Sequence, residues 1–328
     1  MPTLPLERLA NTDVWYRCWR MRDDLRFTYR FLVNAKPGEN PQQSARTDPL
    51  NPRGMEISLD ENGTAKVKYS IAAMPGAPDE SWIVKHPDTT AGSVSQHPFK
   101  SSILHNQRKI WVYTPPGYVA SAQIGYPLIV LFDGFTYQNG IPGPIILDNL
   151  IHAAKIPPMI AVLIGDARNA RSFDLGYNPA FVEFLSKEVL PWVHEHWNVT
   201  RDPEKSIVGG YSFGGLAAAF VALRRPDLFG NVLSQSGAFW RGIDKDTKWE
   251  WLTGQYEAAP KLPIRFFLEA GVLEDVSRDG PTLLAANRRL VALLKRKGYA
   301  VTYEEVGGTH EPIHWRGEFA AGLMSLAK

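Results

Sequence analysis

The chain has 328 residues, 44% of them hydrophobic, and a formal net charge of +2 at pH 7. This near-neutral charge argues against a general nucleic-acid or polyanion partner, and no apolar run is long enough to span a membrane. The one cysteine, Cys18, excludes an internal disulfide and fits a reducing compartment. Because the N-terminus also lacks a charged-then-apolar signal pattern, we expect a cytoplasmic protein, unless a signal peptide has been removed.

The chain is long enough for one large domain and a small companion. Alternating apolar residues predict short antiparallel strands before residue 74, at Asp13–Trp19, Phe27–Val33 and Lys66–Ile71. Residues 74–100 are polar and contain several prolines, which is typical of a connection. We therefore predict a β-sandwich-like N-terminal domain with its linker at residues 1–95, and a catalytic domain at residues 96–328.

In the second region, short buried strands alternate with helices. The candidate strands are Lys109–Tyr113, Pro127–Phe132, Ile160–Gly165, Ser206–Gly209, Asn231–Gln235, Ile264–Glu269 and Val301–Val306. The candidate helices include Pro179–His196, Phe213–Arg224 and Pro281–Lys297. This alternation predicts a mainly parallel sheet with helices on both faces, the arrangement of an α/β-hydrolase.

A nucleophile elbow is predicted at Gly210-Tyr211-Ser212-Phe213-Gly214. The segment follows an apolar strand and opens a helix of small residues, which is the context in which G-x-S-x-G presents a nucleophilic serine. The sharp turn forces Ser212 into a strained backbone conformation, and the glycines on both sides leave room around it. Ser212 is therefore the candidate nucleophile.

A nucleophilic serine needs a base, and His310 and His314 are the histidines that follow Ser212. His310 lies in a loop directly after the last predicted strand, from which a base can reach the serine, and His314 is the alternative. The same segment spells the zinc motif H-E-x-x-H, which requires both histidines on one helix. Because two glycines precede it and Pro312 lies inside it, we predict no metal and no cofactor.

The third group of the triad should be a carboxylate that orients the base and stabilises its charged form. In the chain order serine, acid, histidine, it should follow the strand Ile264–Ala270. Glu274, in the loop after this strand, is the first candidate and Asp275 the second. Glu269 is the third, because it is expected within the strand.

An oxyanion hole requires backbone N–H donors. One donor is expected from Phe213, which follows the nucleophile at the positive end of its helix. The other should follow an earlier strand, and the strand Pro127–Phe132 ends in Asp133-Gly134-Phe135. We assign the second donor to Phe135, with Gly134 as the alternative.

Several motifs point to one family. In the catalytic half they are Leu131-Phe-Asp-Gly134, Arg171-x-x-Asp-Leu175, Asn178-x-x-Phe181, Gly209-Gly-Tyr-Ser-Phe-Gly-Gly215, Ser234-Gln-Ser-Gly237, Asn287-Arg-Arg-Leu290 and His310 with Trp315-Arg-Gly317. In the N-terminal region they are Trp15-Tyr-Arg-Cys-Trp-Arg20, Arg26-Phe-Thr-Tyr-Arg-Phe31 and Asp48-Pro-Leu-Asn-Pro52. Over nearly all of residues 97–328, the chain resembles the enterochelin esterase family of α/β-hydrolases, in the group that includes esterase D and feruloyl esterases.

This resemblance implies hydrolysis of ester bonds in a catecholate siderophore, with release of iron inside the cell. It implies Ser212 as the nucleophile and His310 as the base, in agreement with the residues themselves. The chain departs from the family where Thr309 interrupts the usual Gly-Gly-His and where Glu311 stands in place of an aspartate. The N-terminal domain is short, as if its opening strands were missing. We therefore expect a homo-oligomer in which another chain completes it, or a rearranged local fold.

Side chains expected near the site suit an aromatic, anionic substrate. Arg171 and Arg241 have the charge and geometry to bind an anionic tris-catecholate. For Arg171, the alternative is a structural ion pair. The aromatic candidates are Trp240, Phe135, Tyr137 and Trp315, with a place in the core as the alternative for Trp315 and Phe135.

We predict a serine esterase of the siderophore type that acts on a small-molecule ester through an acyl-enzyme. The alternative is a general carboxylesterase of feruloyl, aryl-ester or polyester type, because fold and triad do not fix the substrate. A third hypothesis is an acyltransferase or a binding module. The complete set of Ser212, Glu274 and His310 argues against pure binding, whereas an acyltransferase differs only in what attacks the acyl-enzyme.

Overall fold

Within the residues that the structure describes, short strands form three small antiparallel sheets in the N-terminal region. This computed structural model describes residues 5–35, 40, 44–58, 64–167, 169–277 and 279–327. The strands are β1 (Glu7–Arg8), β2 (Trp15–Tyr16), β3 (Arg26–Tyr29), β4 (Phe31–Leu32), β5 (Ala45–Arg46), β6 (Gly54–Ser58) and β7 (Lys66–Ala73). β1 pairs with β2, β4 pairs with β5, and β7 lies between β3 and β6. Strands lie within all three predicted segments, but the first is only two residues long, and the second is divided into β3 and β4, which belong to different sheets.

The described part of the second region contains one sheet of eight strands. They are β8 (Ser93–Ser101), β9 (Asn106–Thr114), β10 (Leu128–Phe132), β11 (Ile160–Ile164), β12 (Ser206–Tyr211), β13 (Asn231–Gln235), β14 (Arg265–Gly271) and β15 (Ala300–Val306). Their order across the sheet is β8-β9-β11-β10-β12-β13-β14-β15. The first two pairings are antiparallel and the others are parallel. The seven predicted strands and the mainly parallel sheet are confirmed.

Helices cover both faces of this sheet. They are α1 (Gly134–Asn139), α2 (Gly143–His152), α3 (Arg171–Asp174), α4 (Pro179–Glu183), α5 (Leu190–His196), α6 (Phe213–Arg224), α7 (Trp251–Ala258), α8 (Leu283–Arg296) and α9 (Pro312–Leu326). Along β10, Val130 belongs to the core shared with α6 and α8, and Leu131 to the core shared with α2 and α9. The predicted α/β-hydrolase fold is confirmed. None of the described helices is long and apolar enough to cross a membrane.

Two segments differ from the prediction. Residues 93–101, which we predicted as part of a connection, form the edge strand of the sheet. An edge strand exposes one side to water, so it carries polar residues and tolerates Pro98. The predicted helix Pro179–His196 is divided by a π-helical turn at Phe184–Val189. Pro191 lies just after this turn, and in a regular α-helix its ring would clash with the carbonyl four residues earlier, which accounts for the wider turn.

The N-terminal region packs on the segment that leads into α9. The backbone N–H of Arg26 in β3 donates to the carbonyl oxygen of Gly307 at 3.0 Å. Two residues along the same strand, the N–H of Thr28 donates to Glu311 Oε1 at 3.1 Å, and its hydroxyl donates to the other carboxylate oxygen. The N-terminal region therefore contacts the loop that contains His310. The domain boundary between residues 95 and 96 stays a prediction.

Candidate active site

Ser212 occupies a sharp turn between β12 and α6. Its φ of 56° and ψ of −119° lie in a strained region for a residue with a side chain. A Cβ atom on Gly210 would lie 2.7 Å from the backbone carbon of Gly214, so only glycine fits beside the turn. A Cβ atom on Gly215 would lie 2.3 Å from Ser234 Oγ, which explains the close packing of the helix on the sheet. The local geometry is that of a nucleophile elbow.

A chain of hydrogen bonds links the serine, the first-choice histidine and the first-choice acid. His310 Nε2 lies 2.9 Å from Ser212 Oγ, and His310 Nδ1 lies 2.6 Å from Glu274 Oε1. The backbone N–H of Gly271 donates to the other carboxylate oxygen of Glu274 at 2.8 Å. With its carboxylate accepting from Nδ1–H, Glu274 leaves Nε2 free to accept the hydroxyl proton of Ser212.

Burial differs along this chain of hydrogen bonds. The side chain of Glu274 is 3% exposed, whereas that of His310 is 42% exposed. The acid is thus enclosed by protein, which fixes its orientation, and the histidine faces the side from which a substrate arrives. The arrangement has the geometry required for nucleophilic catalysis by serine.

The other two candidate acids lie elsewhere. Asp275 is exposed and accepts a hydrogen bond from the hydroxyl of Thr282, at the start of α8. Glu269 is fully buried, and its Oε2 lies 2.7 Å from His314 Nε2. Neither carboxylate contacts His310 in this structure, so the geometry favours Glu274.

The H-E-x-x-H segment does not form one helical face. Helix α9 begins at Pro312, so His310 precedes the helix and His314 lies in its first turn. Burial disfavours the imidazolium of His314, but the charge of Glu269 and the hydrogen bond to it raise the pKa of His314 to about 9. Among the residues that the structure describes, no group of three or more His, Cys, Asp or Glu side chains is arranged to hold a metal ion.

The backbone donors expected for an oxyanion hole lie at the starts of two helices. Phe213 is the first residue of α6, and Gly134 and Phe135 are the first two residues of α1. N–H groups at these positions have no partner within their own helix, so they can bind a ligand. A Cβ atom on Gly134 would lie 2.5 Å from the backbone carbon of Leu163, so glycine lets this loop pack against β11.

Two arginines flank the ring of Phe213, next to the nucleophile. The guanidinium carbons of Arg241 and Arg171 lie 4.9 Å and 5.9 Å from the centre of this ring. Arg171 also forms a two-point ion pair with the buried Asp133, with Nη2 donating to Oδ2 at 2.7 Å. Trp240 also lies near this ring, with its own ring centre 6.5 Å from that of Phe213. The structure thus brings the predicted Arg171, Arg241 and Trp240 together around Phe213, the residue that follows Ser212.

Two aromatic residues predicted to contact substrate belong to the core. Tyr137 is fully buried, and its hydroxyl donates to Gln235 Oε1 at 2.9 Å. Trp315 is 3% exposed and stacks on Tyr211 with a centroid distance of 4.0 Å. The prediction for Tyr137 is wrong, and Trp315 takes the core position that was its alternative, because partners from distant segments cover both rings. Phe135, the second residue of α1, is half-buried.

Two carboxylates that lie next to Arg171 were not predicted from the sequence. Asp133 and Asp166 follow β10 and β11, which are neighbours in the sheet. Arg171 pairs with Asp133 and lies 4.0 Å from Asp166. Partial burial and the nearby charge of Asp133 raise the pKa of Asp166 above its ordinary value, although 41% of this side chain is exposed. Their proximity could have been predicted, because both follow predicted strands and the carboxyl ends of adjacent parallel strands meet at one edge of a sheet.

Family models match both regions of the chain. A model described as "Putative esterase" matches residues 101–326, and one described as "Enterochelin esterase, N-terminal" matches residues 2–83. An iron(III) enterobactin esterase from Escherichia coli O6:H1 is 31% identical to the chain, over 98% of this chain and 81% of the relative. The chain belongs to the enterobactin esterase family. The predicted resemblance is therefore confirmed.

Solved structures of enterobactin esterases have the same fold. The enzyme from Shigella flexneri, crystallised in the presence of enterobactin, matches with a TM-score of 0.80 at 29% identity, over 98% of this chain and 83% of that chain. The ferric enterobactin esterase from Salmonella typhimurium matches with a TM-score of 0.81 at 29% identity, with the same coverage. A ferulic acid esterase from Anaeromyces mucronatus matches at 18% identity with a TM-score of 0.60, over 76% of this chain and 94% of that chain, and shows the fold alone.

Proposed function

We propose that this protein is a serine esterase that hydrolyses the ester bonds of a catecholate siderophore. The observation that carries the proposal is the hydrogen-bonded series Ser212, His310 and Glu274 in a member of the enterobactin esterase family. We also propose that it acts in the cytoplasm, where hydrolysis would release iron. Association of chains through the N-terminal region stays a prediction.

The proposed reaction passes through an acyl-enzyme. Ser212 Oγ attacks the ester carbonyl carbon while its proton moves to His310 Nε2, and Glu274 stabilises the resulting imidazolium. The N–H of Phe213 and that of Phe135 or Gly134 bind the oxyanion. His310 then gives the proton to the departing alkoxide oxygen. A water molecule then loses a proton to His310 and attacks the acyl-enzyme, and His310 returns this proton to Ser212 Oγ as the acid leaves.

Charge and aromatic surface beside Ser212 support an anionic aromatic substrate. The guanidinium groups of Arg171 and Arg241 lie on the ring of Phe213, and Trp240 adjoins it. Guanidinium groups bind anionic oxygens through charge-assisted hydrogen bonds, and aromatic rings stack on catechol rings. Asp133 already pairs with Arg171, so Arg241 is the better candidate to bind the substrate's charge.

The substrate is tested by mass spectrometry of the products formed from a cyclic tris-catecholate trilactone, with and without iron. We expect stepwise ring opening by the wild type and none by Ser212→Ala. An intact trilactone beside rapid cleavage of a simple aryl ester would instead assign a general carboxylesterase. That alternative has support of its own, because a xylanase/feruloyl esterase from Xylanibacter ruminicola is 30% identical over 47% of this chain and 23% of that protein.

Removal of the Arg241 guanidinium should discriminate between substrates by charge. We expect Arg241→Ala to lower kcat/KM for an anionic catecholate ester by about 10- to 100-fold, and for a neutral ester of similar size by less than about threefold. Arg224→Ala is the matched control, because Arg224 lies on the ring of Phe220 at the other end of the same helix. Equal losses for both esters in Arg241→Ala would exclude a role in charge recognition.

A further inference from the structure

A buried histidine–carboxylate pair lies next to the loop that carries His310 and is not part of the proposed triad. His314, in the first turn of α9, and Glu269, in β14, have side chains that are 1% and 0% exposed. His314 Nε2 lies 2.7 Å from Glu269 Oε2. Burying such a pair gains little stability relative to apolar side chains, because both groups lose their hydration. The pair therefore calls for a role other than stability.

The other nitrogen of His314 contacts the loop that carries His310. Nδ1 lies 2.9 Å from the backbone carbonyl oxygen of Thr309, the residue directly before His310. A carbonyl oxygen only accepts hydrogen bonds, so Nδ1 carries a proton. A second proton lies in the hydrogen bond between His314 Nε2 and Glu269 Oε2, on either the nitrogen or the oxygen. This hydrogen bond fixes the position of the Thr309 backbone, directly before His310.

The same imidazole also touches the loop that carries the acid. A Cβ atom on Gly308 would lie 2.5 Å from His314 Nδ1, and one on Gly271 would lie 2.9 Å from His314 Cε1. Both glycines therefore pack their backbones directly on the ring. The N–H of Gly271 is the group that donates to Glu274 Oε2. One buried side chain thus supports the backbone on both sides of the His310–Glu274 hydrogen bond.

We propose that His314 is a positioning residue: its Nδ1–H holds the Thr309 carbonyl and keeps His310 within hydrogen-bond reach of Ser212 and Glu274. Glu269 fixes the orientation of the His314 ring. The proposal rests on the proposed serine esterase reaction. A small displacement of a catalytic group lowers the rate without changing substrate affinity, so the effect belongs in kcat rather than in KM.

Two substitutions at His314 distinguish the roles of its two ring nitrogens. Glutamine can reach Glu269 in place of Nε2 but lacks a donor near Thr309, whereas asparagine places a donor near Thr309 but does not reach Glu269. We expect His314→Gln to lower kcat for a simple aryl ester by about 10- to 100-fold at an unchanged KM. The double variant His314→Asn with Glu269→Gln, which leaves no unpaired buried charge, should stay within about threefold of the wild type.

Proton NMR provides a readout independent of turnover. The low-field resonance of His310 Nδ1–H reports its hydrogen bond to Glu274, and we expect His314→Gln to shift or broaden it and the double variant to retain it. A folded His314→Gln protein with an unchanged resonance and a kcat within about twofold of the wild type would overturn the proposal. Should His314→Gln not fold, the double variant decides alone, and a loss above about tenfold in it would contradict the role.

Failure of the proposed function is recognised separately. If the wild type cleaved neither the aryl ester nor the trilactone, and an organophosphonate did not label Ser212, the esterase assignment would fall. The resonance of His310 would still show whether His314 positions the histidine.

Discussion

Replacement of Ser212 by alanine is expected to lower kcat for any ester substrate by on the order of 10³-fold or more, because members of a triad act as a unit. The expected reason is the loss of Oγ, which His310 Nε2 contacts at 2.9 Å, and with it the covalent acyl-enzyme. The backbone donors would remain, so a small residual rate over water is expected. Steady-state kinetics with an aryl ester measure the effect.

The matched control for this substitution is Ser172→Ala, since Ser172 is an exposed serine on α3, near the site. It should retain the wild-type kcat. An organophosphonate should label the peptide that contains Ser212 in the wild type and in the control, and no peptide in Ser212→Ala. Activity retained by Ser212→Ala would rule out the whole mechanism.

The second large effect is expected from Glu274→Gln, which should lower kcat by about 10³- to 10⁴-fold. Glutamine preserves the size of the side chain but removes the negative charge that stabilises the imidazolium of His310. It can also present an N–H to Nδ1, which favours the wrong tautomer of the histidine. The substitution therefore changes the electrostatics and the protonation of the site while leaving the nucleophile in place.

Asp275→Asn is the control for the acid, because Asp275 is the next residue and contacts Thr282 instead of His310. We expect its kcat to stay within about twofold of the wild type. The kcat of both variants is measured at the same folded fraction, which circular dichroism checks. Effects on catalysis are thereby separated from effects on stability. A larger loss of activity in Asp275→Asn than in Glu274→Gln would exchange the two assignments.

The elbow was predictable because its constraints are local. Gly210, Ser212 and Gly214 lie within five residues, and the strand and helix that define the turn adjoin them in the sequence. The acid was expected in the loop after β14, where Glu274 and Asp275 are adjacent and no local feature distinguishes them. Their contacts depend on tertiary structure, because the carboxylate of Asp275 accepts a hydrogen bond from the hydroxyl of Thr282 at the start of α8.

Burial of single aromatic residues could not be predicted in the same way. Tyr137 and Trp315 lie close to the site in the chain, and composition does not distinguish a ring that faces substrate from one that faces the core. Their positions depend on Gln235 and Tyr211, which come from other elements. The edge strand at residues 93–101 was missed for a related reason. Its exposure to water permits a polar sequence that, read alone, indicates a connection.

The contact between β3 and the histidine loop has a consequence for biosynthesis. Thr28 and Glu311 are 283 residues apart, so the segment between them must be synthesised before this contact can form. Such long-range pairs form late, because the intervening chain must be ordered first. The N-terminal strand therefore stays without this partner until residue 311 has been made. His310 lies 98 residues after Ser212, so the proposed triad likewise cannot form while only the elbow has been synthesised.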